Sequence, residues 1–573
     1  MRLAVGGVAV GVALLVLAPV LGRGFVLVYD MVFAPRQWLL PESVGLGSGL
    51  PRSVPADAVV AVLTSVVPGD LVQKAVLLAA LVAGPLGAGL LVPTGSVGVR
   101  VVAAVTYGWS GYVAERLFIG HWPYLLAYAC LPWVARAGLA LRVGLRPPVS
   151  SVPGGTDSSG GREAGGSAAR AVAGLVVSSA PAVLTPSGGL LAAAVGLVCG
   201  GVRGLRVTVP VAVVLNAPWW VPAVLHPGGG LSDPAGAEAF TARGEGWGGT
   251  LVSLLGLGGI WNSDVVPASR GNPLVPVLVL AMTGIAVLGW WEWRRSAGAI
   301  GLVALGLVGV GLGVLGGTDL VAWLAGNVPG GGLLRDSQKW VAWWALPLAV
   351  GFALGVGVAA RALRRAGPVL LAGAAVVPVA MMPDLAWGGW GRLESVDYPR
   401  DWSVVAGILR DDPRAGDVVA LPFSAFRRFS WNDGRTQLDP APRVLPRTTV
   451  IDDTLFVSGE PVAGEDERVA DVRAAVERGD GLAALGIGWV LVELGTPGPG
   501  TDDTTAGMER VHRGEWLELY RVPGDVEGGD QPRAPVGPVV VADVSAVAAV
   551  VLGLLWLGLP AGRLAPSRRR RRE

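Results

Sequence analysis

The sequence predicts a polytopic α-helical membrane protein of about 12 transmembrane helices with an extracytoplasmic α/β domain. Three observations predict this class. Of 573 residues, 52% are hydrophobic and only 15% are charged, well under the roughly 25% of soluble domains. Twelve apolar runs have lengths close to those of membrane-crossing helices. One stretch, residues 384–537, is polar enough and long enough to bury its own core.

The apolar runs lie near 3–22, 71–93, 98–114, 123–142, 168–184, 187–203, 205–224, 274–292, 298–316, 340–360, 367–383 and 538–560. Pro181, Pro186 and neighbouring glycines interrupt the fifth and sixth. The opening run reads as a retained span, because no small-x-small cleavage site precedes a soluble domain. Residues 248–261 are too short to cross and read as re-entrant or interfacial.

Arginine and lysine in the short loops set the orientation. With a cytoplasmic N-terminus, the inner segments carry Arg2, Arg100, the group Arg136, Arg142, Arg146, Arg162 and Arg170, the pairs Arg203–Arg206 and Arg294–Arg295, and Arg361, Arg364 and Arg365. The tail adds Arg563 and the five arginines 568–572, so a twelve-span count puts every basic cluster on one side. In this context the tail suits anionic membrane headgroups better than nucleic acid. Residues 151–167 read as a flexible linker. The resulting scheme is a membrane domain over 1–383, with an outer loop at 23–70, an outer α/β domain over 384–537, and a last helix with cytoplasmic tail over 538–573.

The two cysteines, Cys130 and Cys199, both fall in apolar runs, which argues against a disulfide framework or a zinc site. No metal-ligand cluster is evident. Within 384–537, "RDWSVVAGILRDD" and "EDERVADVRAAVERGD" carry helical spacing. The segments "GDVVALPF", "IGWVLVEL" and "LELYRVP" read as buried strands. This domain holds no nucleophile–base signature, P-loop or dinucleotide fingerprint.

Candidate site residues cluster in the outer loops. The first loop, "YDMVFAPRQWLLPESVG", offers Asp30, Arg36 and Glu42, followed at 54–70 by a short amphipathic helix lying on the membrane. The second, "AERLFIGHWPYLLAYACLPWVARA", brings Glu115, Arg116, His121, Trp122 and Tyr124 to the outer boundary, where ionisable groups are costly unless paired or functional. The third, "NVPGGGLLRDSQKWVAWW", places Arg335, Asp336 and Lys339 at a helix start, where backbone N–H groups and cations suit a phosphate. Lys339 and Lys74 are the only lysines in the chain. A fourth, residues 226–264, mixes acids with Trp247 and Trp261 and suits either sugar stacking or an interface.

On "VYDMVFAPRQW", "LVQKAVLLAALVAGPLGAGLL", "GHWPYLLAYACLPWVARAGL" and "NAPWWVPAVL", over roughly residues 20 to 265, the chain resembles a glycosyltransferase of the GT-C class. The nearest likeness is to the transmembrane N-terminal part of the actinobacterial α-(1→3)-arabinofuranosyltransferases. "LLRDSQKW" is similar to an Arg-acid-x-x-Lys element of bacterial GT-C-like membrane proteins. The chain is shorter than that family and lacks its long extracytoplasmic region with carbohydrate-binding modules.

The resemblance implies transfer of a sugar from a polyprenyl-phosphate donor to an envelope glycan on the outer face of the cell membrane. It implies a first-loop carboxylate as general base, at the position of Asp30. Arg36, Arg335 or Lys339 would stabilise the lipid phosphate as it leaves. A divalent cation, Mg²⁺ or Mn²⁺, stays open. Two other readings compete: a transporter or flippase of lipid-linked glycans, and a non-catalytic scaffold of an envelope-synthesis complex. Against the transporter stand the lack of a visible repeat and the near absence of acids from span interiors.

Overall fold

The computed structural model describes residues 1–145, 158–226, 230–457, 459–464, 466, 468–498, 502–526 and 533–559. Arg146, Arg563, the arginines 568–572 and the linker up to residue 157 lie outside the described residues, as does the side chain of Arg162. Residues 158–167, expected within the linker, are helical instead and open α7.

The helices that concern the site are α1 (Arg2–Leu17), α2 (Ala56–Thr64), α3 (Gly69–Leu91), α4 (Val97–Gly108), α5 (Gly111–Phe118), α6 (Trp122–Gly144), α7 (Ser158–Ser179) and α8 (Pro186–Leu225). They continue with α9 (Ala235–Ala239), α10 (Gly249–Leu255), α11 (Leu274–Trp293), α12 (Ala299–Leu315), α13 (Asp319–Asn327), α14 (Ala342–Ala362) and α15 (Gly367–Met381). The C-terminal part adds α16 (Arg400–Asp411), α17 (Arg468–Arg478) and α18 (Val536–Gly558).

Among the described residues nine helices are long and apolar enough to cross a membrane, or ten if α12 and α13, bent by 92°, form one broken span. Twelve is therefore not the number that length and apolarity alone give. The run 98–114 divides at Trp109, where Ser110 accepts from the N–H of Val113 and caps a new helix. That leaves α4 with 12 residues, short of a crossing. The runs 187–203 and 205–224 join into α8, broken at Gly201 where φ is +66°. Within the bundle α14 is central, with 94% of its most apolar stretch buried, and it is accordingly apolar all round.

The ends of α3 define two ends of the bundle. Its first residue, Gly69, donates to the carbonyl of Pro35 in the first loop. At its other end the carbonyls of Gly89 and Leu90 accept from Arg100, and Arg136 reaches Leu90 at 2.6 Å. Cations on the last carbonyls of a helix satisfy groups that the helix itself leaves unpaired. Arg2, like Arg100, lies near Arg136. A helix of 23 residues separates this basic end from the first loop by about 34 Å.

The C-terminal part holds a five-stranded mixed sheet. The strands of the molecule are β1 (Phe25–Val26), β2 (Ser395–Val396), β3 (Asp417–Leu421), β4 (Phe426–Arg428), β5 (Thr436–Leu438), β6 (Thr449–Val450), β7 (Leu455–Val457), β8 (Glu460–Val462), β9 (Ile487–Glu493), β10 (Glu509–Arg513) and β11 (Leu517–Arg521). The sheet order is β10-β11-β9-β3-β6, with β3 parallel to β6 and β9 and the rest antiparallel. All seven residues of β9 are buried, as a central strand covered on both faces requires. Alternation sends Val418, Ala420, Trp489 and Leu491 towards α16 and Val419, Leu421, Val490 and Val492 towards α17. The helices and strands expected at "RDWSVVAGILRDD", "EDERVADVRAAVERGD", "GDVVALPF", "IGWVLVEL" and "LELYRVP" all form.

The first loop is held between the two parts. β1 pairs antiparallel with β2, Phe25 opposite Val396. The Gln73 side chain of α3 bonds both the N–H and the C=O of Val26, at 2.9 and 2.7 Å. Buried Lys74 binds the carbonyls of Gly22 and Gly24, and Asn432 binds that of Leu27. Tyr29 bonds the β5 strand on both sides, to Thr436 and Leu438, each at 2.7 Å. A helix forms at Ala56–Thr64, inside the stretch expected to lie on the membrane.

Candidate functional site

Tyr29 takes a φ of +43°, which is unusual for a bulky side chain and marks a forced backbone. The force comes from its two strand bonds. Next along the chain, Asp30 donates its N–H to the carbonyl of Ile119 at the α5–α6 turn. That turn needs glycine at 120: φ is +80°, and an added Cβ would collide with the Met31 nitrogen and sit 2.5 Å from the Val28 oxygen. The close approach of the two loops brings Asp30 against His121, with Oδ2 3.1 Å from Nε2.

His121 is in turn held by Arg116, whose Nη1 lies 2.7 Å from the imidazole Nδ1. A guanidinium can only donate. Nδ1 therefore accepts, Nε2 carries the ring N–H, and that N–H points at Asp30. Asp30 keeps 40% of its side-chain surface exposed, against 17% for His121 and none for Arg116. The chain runs from a carboxylate open to solvent into a closed interior.

Arg116 is fully buried and makes a bidentate pair with Asp336, at 2.7 and 3.0 Å. Its remaining N–H groups reach Gln338 Oε1, at 3.1 and 2.5 Å. Tyr112 and Tyr124 flank it with ring centroids at 5.6 and 5.4 Å. Burial alone would raise the Asp336 carboxyl, but the charge and hydrogen bonds of Arg116 override it and hold the group at about 2. Arg116, whose charge burial disfavours, is held in its charged form by the same partner.

Gln338 passes the network on. Its amide donates to Glu115 Oε2 at 3.2 Å, and the N–H of Ile260 donates to the same oxygen at 3.0 Å. Beyond it Glu245 pairs with Arg270 at 2.5 Å, both nearly fully buried. Burial first, and the neighbouring Glu245 next, push the Glu115 carboxyl well above the ordinary range. Arg270 offsets the burial of Glu245 and lowers it. Of the two carboxylates, Glu115 is the one pushed toward holding a proton and Glu245 the one pushed toward its charged form. Arg270 also lines a small apolar cavity of about 30 Å³, together with Trp109, Leu257, Val279, Met282, Leu348 and Met381 among others.

The structure therefore gathers Asp30, His121, Arg116, Asp336 and Glu115, which come from three separate loops of the sequence. Glu115 and Arg116 do not pair with each other; each finds its partner more than 100 residues away. Lys339 is 4% exposed and close enough to Asp336 to act on its charge. Among the described residues its ammonium makes no hydrogen bond or ion pair, only a contact of 5.5 Å with the Trp340 ring. Arg335 stacks on Phe240 at 5.5 Å.

Two expected members stand apart. Arg36 is exposed and stacks on Trp38 at 4.4 Å. Glu42 is exposed and accepts from Thr448 of the sheet domain at 2.8 Å. The chain turns away from the cluster after Ala34, which is buried against that domain, so both residues serve other contacts. Trp122 is buried against Phe33, ring centroids 5.1 Å apart, as a packing residue.

Sequence reading missed Gln338, Glu245 and Arg270. Gln338 sat inside the quoted "RDSQKW" and was the one buried amide able to bridge a cation and an acid. Glu245 and Arg270 gave no local signal, because one lies in irregular backbone and the other in a single short 3₁₀ turn, Ala268–Gly271. Among the described residues no group of three or more His, Cys, Asp or Glu is arranged to hold a metal ion. Asp30 and His121 lie together, but Asp336 is committed to Arg116, so this donor set does not fit a divalent cation. No protein-family model matches the chain, and neither a curated protein nor a solved structure matches it.

Proposed function

We propose that the chain is a membrane glycosyltransferase of the GT-C class, taking a sugar from a polyprenyl-phosphate donor and passing it to an envelope glycan on the outer face of the cell membrane. One observation carries this reading: Asp30, half exposed, is aimed by the N–H of His121 while the interior behind it is closed by the Arg116–Asp336 pair. General base action needs a carboxylate within hydrogen-bond reach of the attacking hydroxyl, and a fixed orientation improves it.

In this reading Asp30 takes the proton of the acceptor hydroxyl. Lys339, buried near Asp336 but without a hydrogen bond or ion pair to it, meets the phosphate of the donor as its bond to the sugar breaks, and Arg335 assists. The sugar is arabinofuranose-like by resemblance, and the placement of both termini in the cytoplasm belongs to the same reading.

Complementation tests it. A deletion strain is restored with wild type or with Asp30→Asn, and the glycans of its envelope are analysed. The reading expects the Asn variant to match the deletion. Wild-type glycans from Asp30→Asn would reject the catalytic role and favour the scaffold. A reporter fused after residue 450 gives the second check: a cytoplasmic signal would overturn the outer-face assignment.

A further inference from the structure

The hairpin β4–β5 of the sheet domain reaches the first loop beside Asp30, and nothing in the reaction above uses it. Its construction is unusual. Arg427 is 2% exposed and pairs with Asp439 at 2.7 Å and with Glu493, both buried. Such a closed triad under a three-residue strand fixes the hairpin against the sheet. Because strand side chains alternate, locking Arg427 inward turns Phe426 and Arg428 outward.

Those outward groups meet Tyr29. The Phe426 and Tyr29 rings stand edge to face with centroids 6.4 Å apart. Arg428 is exposed and donates to Thr436 Oγ1 at 3.0 Å. Asn262, Asp264, Arg428 and Thr436 all lie near enough to the Tyr29 phenol to act on its titration. Asp264 is exposed, and its carbonyl accepts from Arg392, which stacks on Phe118. The result is a partly exposed cluster of an aromatic pair with polar and charged groups around it, its Tyr29 adjacent in sequence to Asp30.

We propose that Tyr29, Phe426, Asn262, Asp264, Arg428 and Thr436 form the subsite for the acceptor glycan, with the sheet domain supplying one wall. Aromatic faces take the C–H side of a sugar ring. A carboxylate, an amide and a guanidinium bind its hydroxyls with directional specificity. Tyr29 holds its φ of +43° between the two strand bonds to β5, which also keep the neighbouring Asp30 beside this cluster. The inference rests on the glycosyltransferase reading, yet it is tested by binding, apart from turnover.

The full chain is purified in detergent and titrated with a linear arabinofuranosyl hexasaccharide and, separately, a mannosyl hexasaccharide. Wild type, Asp30→Asn, Asn262→Ala, Arg428→Ala and the milder Arg428→Lys are compared, each first checked for an unchanged melting temperature. The proposal expects wild type to bind one of the two glycans. It expects Asn262→Ala and Arg428→Ala to weaken binding at least tenfold, with Arg428→Lys in between. Absence of binding to both glycans by wild type, or unweakened binding by the two alanine variants, overturns it. Weakened binding in those variants together with normal transfer by Asp30→Asn would keep the subsite and reject the catalytic base.

Discussion

Replacing Asp336 by Asn tests the buried pair at the centre of the network. The substitution keeps the shape but leaves the Arg116 guanidinium, wholly buried, without a counter-charge. Two routes give the magnitude. A carboxyl held at about 2 against an ordinary 3.8 is worth about 2–3 kcal/mol through proton linkage. Breaking a buried ion pair from one side costs about 3–5 kcal/mol in measured systems. The expected loss is therefore about 2–5 kcal/mol, read as reversible unfolding in detergent–denaturant mixtures.

The sign with pH follows. The folded carboxyl is depressed, so its contribution is present above the ordinary 3.8 and is lost as pH falls through about 2. Wild type should lose stability over that window more steeply than Asp336→Asn. The double variant Arg116→Met/Asp336→Leu should recover at least about 2 kcal/mol of the summed single losses. A single-variant loss below about 1 kcal/mol with additive doubles would refute the pairing.

Further outcomes follow from other contacts. Glu115 is raised, so its protonated form stabilises the fold at low pH and that contribution is lost as pH rises through its folded value. Glu115→Gln should match wild type near pH 4 and melt higher at alkaline pH; a parallel pH profile would contradict the raised Glu115 carboxyl. Gly120→Ala meets both a positive φ and the backbone of the first loop, and should cost about 1–3 kcal/mol and release that loop to proteolysis. Arg427→Met leaves Asp439 and Glu493 buried without their cation, and should destabilise the sheet domain by about 3–5 kcal/mol. An unchanged melting curve would show the triad to be idle.

How much of this was legible depends on the range of the interaction. Strand β9 and helices α16 and α17 announce themselves because burial imprints a local period on the sequence. Asp30, His121, Arg116 and Asp336 were legible as charged residues at apolar boundaries, where they are costly without partners. Their pairing was not legible: Arg116 reaches across 220 residues to Asp336 and ignores its neighbour Glu115. Arg36 and Glu42 looked equivalent to Asp30 in the first loop, but backbone direction after Ala34 separates them, and no side-chain pattern records that. The stretch 424–443 stood out as polar and aromatic, either acceptor-facing or a long surface loop, but its hairpin was not legible because strands of three residues carry too little periodicity.

The central claim is that Asp30 is the base, and purified enzyme tests it most directly. Transfer of radiolabelled sugar from a polyprenyl-phosphate arabinofuranose donor to an arabinofuranosyl acceptor is timed for wild type and Asp30→Asn at saturating substrates. The account predicts a fall in kcat of about 10²–10⁴-fold with acceptor KM little changed. Equal kcat in the two proteins would contradict it.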